Sequence, residues 1–239
     1  MINSGTTVRE VAVQVPEATR LFERLNIDYC CGGNRPLSDA CDSAGVAVDS
    51  VIEMLTALGQ TEASQGGTVD FQRLSLADLI THILETHHVF TKTEMDRIKA
   101  LADKVIAAHG ANHPELLKVN ELFERLCADL KPHMFKEEQV LFPYIVAMQR
   151  AQAEGQPIPF APFGTVKNPV RMMTKEHDHA GEILRELRAV TSDYRVPPDG
   201  CISYQTLYQA LAGFEKDLHQ HIHLENNILF PKAVEFETR

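Results

Sequence analysis

A chain of 239 residues that is 44% hydrophobic has enough apolar material for one medium-sized core and a small accessory domain. Its formal net charge of −10 argues against nucleic acid or an anionic membrane surface as a general partner, and no apolar run approaches the roughly 18 residues that cross a bilayer. Five cysteines, an odd number, with no basic-then-apolar leader at the start, point to reduced thiols in the cytoplasm and not to a disulfide framework.

Strand signals are sparse and stretches rich in Leu, Ala, Glu, Lys and Gln dominate, which predicts an all-α fold. Residues 1–59 form a small helical domain, with short helical patterns between Thr7 and Leu58 punctuated by Pro16, Gly32-Gly33, Pro36 and Gly45. Its conspicuous feature is Tyr29-Cys30-Cys31-Gly32-Gly33. Adjacent thiols beside flexible glycines can exchange disulfides or bind a thiophilic metal, and composition alone weighs that reading evenly against a chance pair. Cys41 is near enough in sequence to be a third thiol, whereas Cys127 and Cys201 read as structural. Residues 60–72 read as a linker, because Gln60 to Thr68 lacks apolar periodicity and contains a Gly pair.

Residues 73–239 carry four long helical patterns. The first starts at Ser75, an N-cap, and reaches His109, with Gly110 as its stop. The second runs from Pro114 to Ala153, the third from Asn168 to Ser192 ahead of Pro197-Pro198, and the fourth from Ser203 to Glu235. With the Pro-rich stretch from Pro157 to Pro169 as the longest connection, these make an antiparallel four-helix bundle.

An internal repeat strengthens that expectation. His133-Met-Phe-Lys-Glu137-Glu-Gln-Val-Leu-Phe-Pro143 matches His221-Ile-His-Leu-Glu225-Asn-Asn-Ile-Leu-Phe-Pro231 at an offset of 88 residues, and His88 and His177 are separated by 89. Residues four apart share a helix face, so His133 with Glu137, and His221 with Glu225, point to one place. That face is the apolar one. The second helix reads Leu126, Leu130, His133, Glu137, Val140, Tyr144, and the fourth reads Leu211, Phe214, Leu218, His221, Glu225, Ile228. His88 continues Ile80 and Leu84, and His177 sits between Met173 and Ala180.

Burying two carboxylates and four imidazoles in an apolar core is costly unless cations compensate them. A core histidine bonded to a glutamate explains one such pair well enough, but not a symmetric set of them. Nitrogen and oxygen donors without thiolate suit iron or manganese, and also zinc or copper. If both glutamates bridge, each ion holds two imidazoles and two carboxylate oxygens. An oxo or hydroxo bridge then leaves one open octahedral position for small-molecule chemistry.

Other residues carry weaker expectations. His87, His179, His219 and His223 fall off the apolar rows and read as surface or peripheral groups, and Glu138 reads as solvent-facing. Glu176 is either an outer carboxylate that delivers protons or holds a ligand, or an exposed helix charge, and Asp129 is a similar candidate. Pro132 should bend its helix, and Pro143 and Pro231 should produce matched breaks. Phe142 and Phe230 read as core packing.

Tyr-Cys-Cys-Gly-Gly at 29–33, His88, His133-x-x-x-Glu137, Glu176-His177-Asp178 and His221-x-x-x-Glu225-Asn-Asn-x-Leu-Phe-Pro231 together resemble the repair-of-iron-centres (RIC) family, the YtfE, ScdA and NorA type of hemerythrin-like di-iron proteins. The resemblance covers nearly the whole chain, and Pro132 departs from the pattern. It implies two non-haem irons, with His88, His133, His177 and His221 as terminal ligands and Glu137 and Glu225 as bridges. Fewer histidine ligands than in oxygen-carrying hemerythrins make simple oxygen carriage a poor fit. The implied function is repair of iron–sulfur clusters damaged by nitrosative or oxidative stress, by reaction with nitric oxide, by donation of iron, or both. Damaged iron–sulfur proteins would be the clients. Two alternatives stay open: a protein that binds, buffers or senses nitric oxide or oxygen without turnover, and a thiol module in which Cys30 and Cys31 contact a partner or accept electrons. A homodimer is compatible with the sequence.

Overall fold

Thr7 starts the first helix with a reciprocal cap. Its hydroxyl accepts the Glu10 N–H at 3.2 Å, and the Glu10 carboxylate accepts the Thr7 N–H at 2.8 Å. In this computed structural model, which describes residues 2–61 and 70–238, four helices follow one another at the N-terminus: α1 (Val8–Gln14), α2 (Ala18–Leu25), α3 (Leu37–Ala44) and α4 (Val48–Thr61). Asn26 and Gly45 close α2 and α3 in the left-handed conformation that Asn and Gly tolerate best, with φ of 54° and 70°. Val8, Val11, Phe22, Leu37, Cys41 and Leu55 fill the space between these helices. Cys41 is fully buried there, as a packing residue and not as a third thiol beside Cys30 and Cys31. Most of the expected linker, residues 62–69, lies outside the described residues.

Four long rods make up the rest. α5 comprises Leu76–His82, a π-helical turn at Ile83–His88, and Val89–His109. α6 comprises Glu115–Lys136, a π turn at Glu137–Leu141, and Phe142–Ala153. α7 is Lys167–Val190, and α8 comprises Ile202–His223, a π turn at Leu224–Leu229, and Phe230–Glu237. α7 stops ahead of the proline pair because Ser192, Asp193 and Tyr194 all take positive φ. The start of α5 packs with the end of α6, the start of α7 and the end of α8, the alternation of an antiparallel bundle. No strand occurs among the described residues, and none of their helices is long and apolar enough to cross a membrane.

The π turns explain where the apolar rows of the sequence go astray. Each inserts one extra residue into a helical ladder, as the Phe142 N–H bonding back five residues to the Glu137 carbonyl shows, and Phe230 to Glu225 likewise. The inward face therefore steps from Glu137 to Leu141, and the expected core residue Val140 is turned outward, 45% exposed. For the same reason Ile83 is buried where Leu84 was expected to lead to His88. Pro143 and Pro231 stand directly after two of these turns, where a missing N–H costs least because the ladder is already shifting. Pro132 does not interrupt its helix, which runs unbroken to Lys136; the irregularity falls at Glu137–Leu141 instead.

The bundle has two apolar cores, one on each side of a polar middle. In the first, Phe123 and Phe214 meet edge to face at 5.4 Å between ring centres, both essentially inaccessible. Phe214→Ala is expected to cost about 3–5 kcal/mol in chemical denaturation, because neighbouring helices cannot collapse into so large a gap.

Candidate metal centre

Each rod delivers polar groups to the layer between the two cores: His88 from α5, His133 and Glu137 from α6, His177 from α7, and His221 and Glu225 from α8. All six are buried, none more than 2% exposed. They form two clusters that share both carboxylates, His88–Glu137–His221–Glu225 and His133–Glu137–His177–Glu225. In the first cluster, His88 Nε2 is 3.2 Å from His221 Nε2 and 3.4 Å from Glu137 Oε2, and His221 Nε2 is 3.0 Å from Glu225 Oε1. In the second, His133 Nε2 is 3.0 Å from His177 Nε2 and 3.3 Å from Glu137 Oε1, and His177 Nε2 is 3.1 Å from Glu225 Oε2. Each glutamate thus presents one oxygen to each cluster. Donor atoms about 2.1 Å from a common ion stand about 3.0 Å apart when adjacent in an octahedral shell, which is the spacing found.

The outer ring nitrogens fix which face of each imidazole is a lone pair. His88 Nδ1 donates to Glu138 Oε1 at 2.7 Å, His133 Nδ1 to Glu176 Oε2 at 2.8 Å, and His177 Nδ1 to Asn226 Oδ1 at 2.9 Å. With the proton on Nδ1, the neutral ring turns an Nε2 lone pair towards its neighbour's. Glu138 is therefore a partner of His88, not the solvent-facing residue expected from the sequence, and it is also bonded to Lys92. Glu176 is tied in the same way to Lys136. Its pKa is pushed down to about 2, chiefly by the His133 hydrogen bond and against the cost of partial burial, so it is ionised at neutral pH. His221 Nδ1 has no hydrogen-bond partner.

Six acceptor side chains converging without donors between them repel one another unless positive charge is present. Protons supply some of it. Burial opposes charge on His88 and His133, yet Glu137 and the outer carboxylates outweigh it and raise both, His133 to about 10. Burial lowers His221, and the surrounding imidazoles hold Glu137 and Glu225 low in spite of theirs. Glu137 Oε1 and Oε2 and Glu225 Oε2 face imidazole nitrogens at 3.1–3.4 Å but make no well-aligned hydrogen bond. Metal cations would satisfy these oxygens together with the Nε2 lone pairs, so the donor set fits such ions.

Phe142 packs beside His88 and Phe230 stacks on His177, ring centres 5.9 and 6.1 Å apart, so the repeat extends to the apolar walls. A cavity of about 310 Å³, bordered by Asp129, Pro132, Lys136, Met172 and Glu176, reaches His133 and His177 from outside. Asp129 itself is half exposed and faces His179.

The N-terminal helices pack against α7 and α8. Tyr29 and Cys30 give their carbonyls to Asn227 (2.9 Å) and Asn226 (3.4 Å) of α8, and the Cys31 thiol points at the His177 carbonyl, 3.5 Å away. Tyr29 packs 5.4 Å from His223, and Glu23 bonds His219 at 3.0 Å. His223 is therefore buried and His219 largely so, which removes the surface alternative for them and keeps the peripheral one. His87 is buried as well, bonded to Asp217 at 3.0 Å and stacked on His221, because the π turn rotates it inward. His179 is exposed as expected. Cys201 overturns its structural reading: it is exposed at the start of α8, where the Tyr204 N–H and His109 lower its pKa to about 7. Burial pushes Cys127 up to about 11. In a timed iodoacetamide reaction read by mass spectrometry, Cys201 is expected to react first, gaining rate up to about pH 7 and little above it, while Cys127 stays slow throughout.

A helical bundle that carries inward His and Glu on each repeat is a hemerythrin-like cation-binding protein by architecture. The chain matches the Hemerythrin HHE cation binding domain over residues 79–233 and the ScdA_N domain, described as of unknown function, over residues 4–59. It is 34% identical over 225 residues to a "Probable iron-sulfur cluster repair protein" of Haemophilus influenzae, covering 94% of this chain and 95% of the relative. It is 32% identical to the "Iron-sulfur cluster repair protein YtfE" of Dickeya chrysanthemi (95% and 96% covered) and 34% identical to that of Cronobacter sakazakii (94% of each). The chain belongs to the hemerythrin-like family of these iron–sulfur cluster repair proteins.

Proposed function

We propose that this chain is a di-iron protein that repairs iron–sulfur clusters damaged by nitrosative or oxidative stress, with damaged iron–sulfur proteins as its clients. The observation that carries the reading is the pair of His₂Glu₂ clusters with both carboxylates held in common. His88 and His221 would hold one iron, His133 and His177 the other, and Glu137 and Glu225 would bridge them. Ferrous iron bound there would supply affinity for nitric oxide and a store of releasable metal.

The chain's own residues set how firmly that metal is held. Glu138, Glu176 and Asn226 fix the rings of His88, His133 and His177, while His221 has no such anchor on Nδ1. Lys92 and Lys136 neutralise the two outer carboxylates from the solvent side. The cavity beside Glu176 gives small molecules an approach to the second cluster, and the apolar cores on either side keep bulk water out. The Cys31 thiol stands against the His177 carbonyl with the Cys30 sulfur beside it, and the two would take part in passing iron on.

The test uses anaerobically purified, iron-loaded full chain and an iron–sulfur enzyme inactivated by nitric oxide. Iron-loaded chain is expected to restore activity and iron-free chain is not. Consumption of nitric oxide without any restoration would move the assignment to a gas-binding or buffering protein.

A further inference from the structure

The loop between α2 and α3 brings three metal-ligating side chains together outside the bundle centre: Asp28, Cys30 and Cys31. Both cysteines are free thiols, and their sulfurs are 3.8 Å apart. Asp28 Oδ1 is 3.4 Å from Cys30 Sγ and is held in place by the N–H groups of Cys30 (3.2 Å) and Cys31 (3.0 Å). Two thiolates about 2.3 Å from a tetrahedral ion stand about 3.8 Å apart, and a thiolate and a carboxylate oxygen about 3.5 Å apart. Both measured separations match those edges.

The surroundings fit a cation as well. Gly181 of α7 lies beside the Cys31 sulfur, where an added Cβ would stand in ordinary contact at 3.4 Å. Arg185 lies 3.8 Å from Asp28 Oδ2, so the single excess negative charge left by two thiolates and a carboxylate on a divalent ion has a counter-charge beside it. A cavity of about 300 Å³ touches Asp28, Cys30 and Cys31, which leaves the fourth coordination position reachable.

We propose that Asp28, Cys30 and Cys31 form a second metal site that holds one borderline divalent cation, ferrous iron or zinc, through two thiolates and one carboxylate oxygen. Binding releases the two thiol protons to solvent and involves no change of oxidation state. Without metal, the hydrogen bond between the two thiols and burial hold the Cys30 thiol well above its ordinary value. A role as a station for iron leaving the bundle rests on the repair function, but the site itself rests only on its own geometry.

The experiment uses full-length, reduced chain whose bundle has first been loaded with iron, titrated anaerobically with Co²⁺. One equivalent is expected to bind with sulfur-to-cobalt absorption in the near ultraviolet and tetrahedral d–d bands in the visible. Both signals should vanish in the Cys30→Ser/Cys31→Ser double variant, with its iron content and helicity unchanged. Asp28→Asn keeps the acceptor for the two backbone N–H groups and is expected to weaken cobalt binding about tenfold or more. The site is refuted if no sulfur-to-cobalt absorption appears in the parent chain, or if it survives the double substitution, which would place it on other cysteines. Unchanged affinity in Asp28→Asn overturns the three-donor set. Iron content of the bundle is read separately, so failure of the di-iron assignment cannot be mistaken for failure of this site.

Discussion

Glu137→Ala and Glu225→Ala are each expected to lower the iron content of anaerobically purified protein from about two ions per chain to well below one. Each glutamate serves both clusters, so one substitution strips an oxygen donor from each ion and removes the link between them. His88→Ala, which belongs to one cluster alone, should be less damaging and leave the His133–His177 cluster with its full donor set. The stability loss in the same variants should be larger with metal than without it. Metal adds stability through binding to the folded state alone, about 2.7 kcal/mol at a hundredfold excess over the dissociation constant, and the glutamate variants forfeit it. Stripped of metal, Glu137 still faces the imidazoles that hold it ionised, so deleting it leaves their charge uncompensated and a smaller loss of stability remains. Glu137→Ala should therefore unfold at lower denaturant than the parent in both states, with the gap clearly wider when iron is present than after chelation. A variant that is destabilised equally in both states would mean that Glu137 supports packing and not a metal ion.

The parts of this centre that were legible in the sequence are those governed by helical periodicity. His and Glu four apart on an apolar row, repeated 88 residues later, can only converge if both helices face one core. The parts that were not legible depend on departures from that periodicity or on contacts far apart in the chain. A fixed step of three or four residues placed Val140 and Leu84 in the core, and the π turns moved Leu141 and Ile83 there instead. His87 shares this cause, since α-helical phase alone would turn it away from His88's side. His223, His219 and the asparagine pair were hidden for a different reason: their partners Tyr29, Glu23 and Cys30 lie about 195 residues earlier, and nothing in a linear pattern says which bundle face the N-terminal helices cover. Glu138 was the nearest to being readable. It directly follows a predicted ligand, but its partner His88 stands 50 residues away on another helix, and a lysine beside it makes an ordinary surface ion pair look sufficient.

Asn226→Ala is expected to reduce iron affinity by about 10- to 100-fold in competition with a chelator, although Asn226 touches no iron-binding atom. Its carboxamide performs two tasks at once. Oδ1 holds the His177 Nδ1–H at 2.9 Å, fixing the tautomer that exposes the Nε2 lone pair, and Nδ2 donates to the Cys30 carbonyl at 3.4 Å. Asn226→Asp separates the tasks. A carboxylate still accepts from His177, and more strongly, but offers no donor to Cys30 and sets a negative charge near that carbonyl. Iron affinity should therefore recover in Asn226→Asp, while hydrogen exchange and limited proteolysis of residues 26–36 should speed up in both variants. Asn227, whose amide bonds Tyr29 O and His223 but no ligand histidine, supplies the converse control: Asn227→Ala should loosen the same segment and leave iron affinity close to that of the parent. If Asn226→Asp loses iron as readily as Asn226→Ala, then docking of the N-terminal helices, and not the bond to His177, holds that ring in place, and the Asn227 variant should lose iron too.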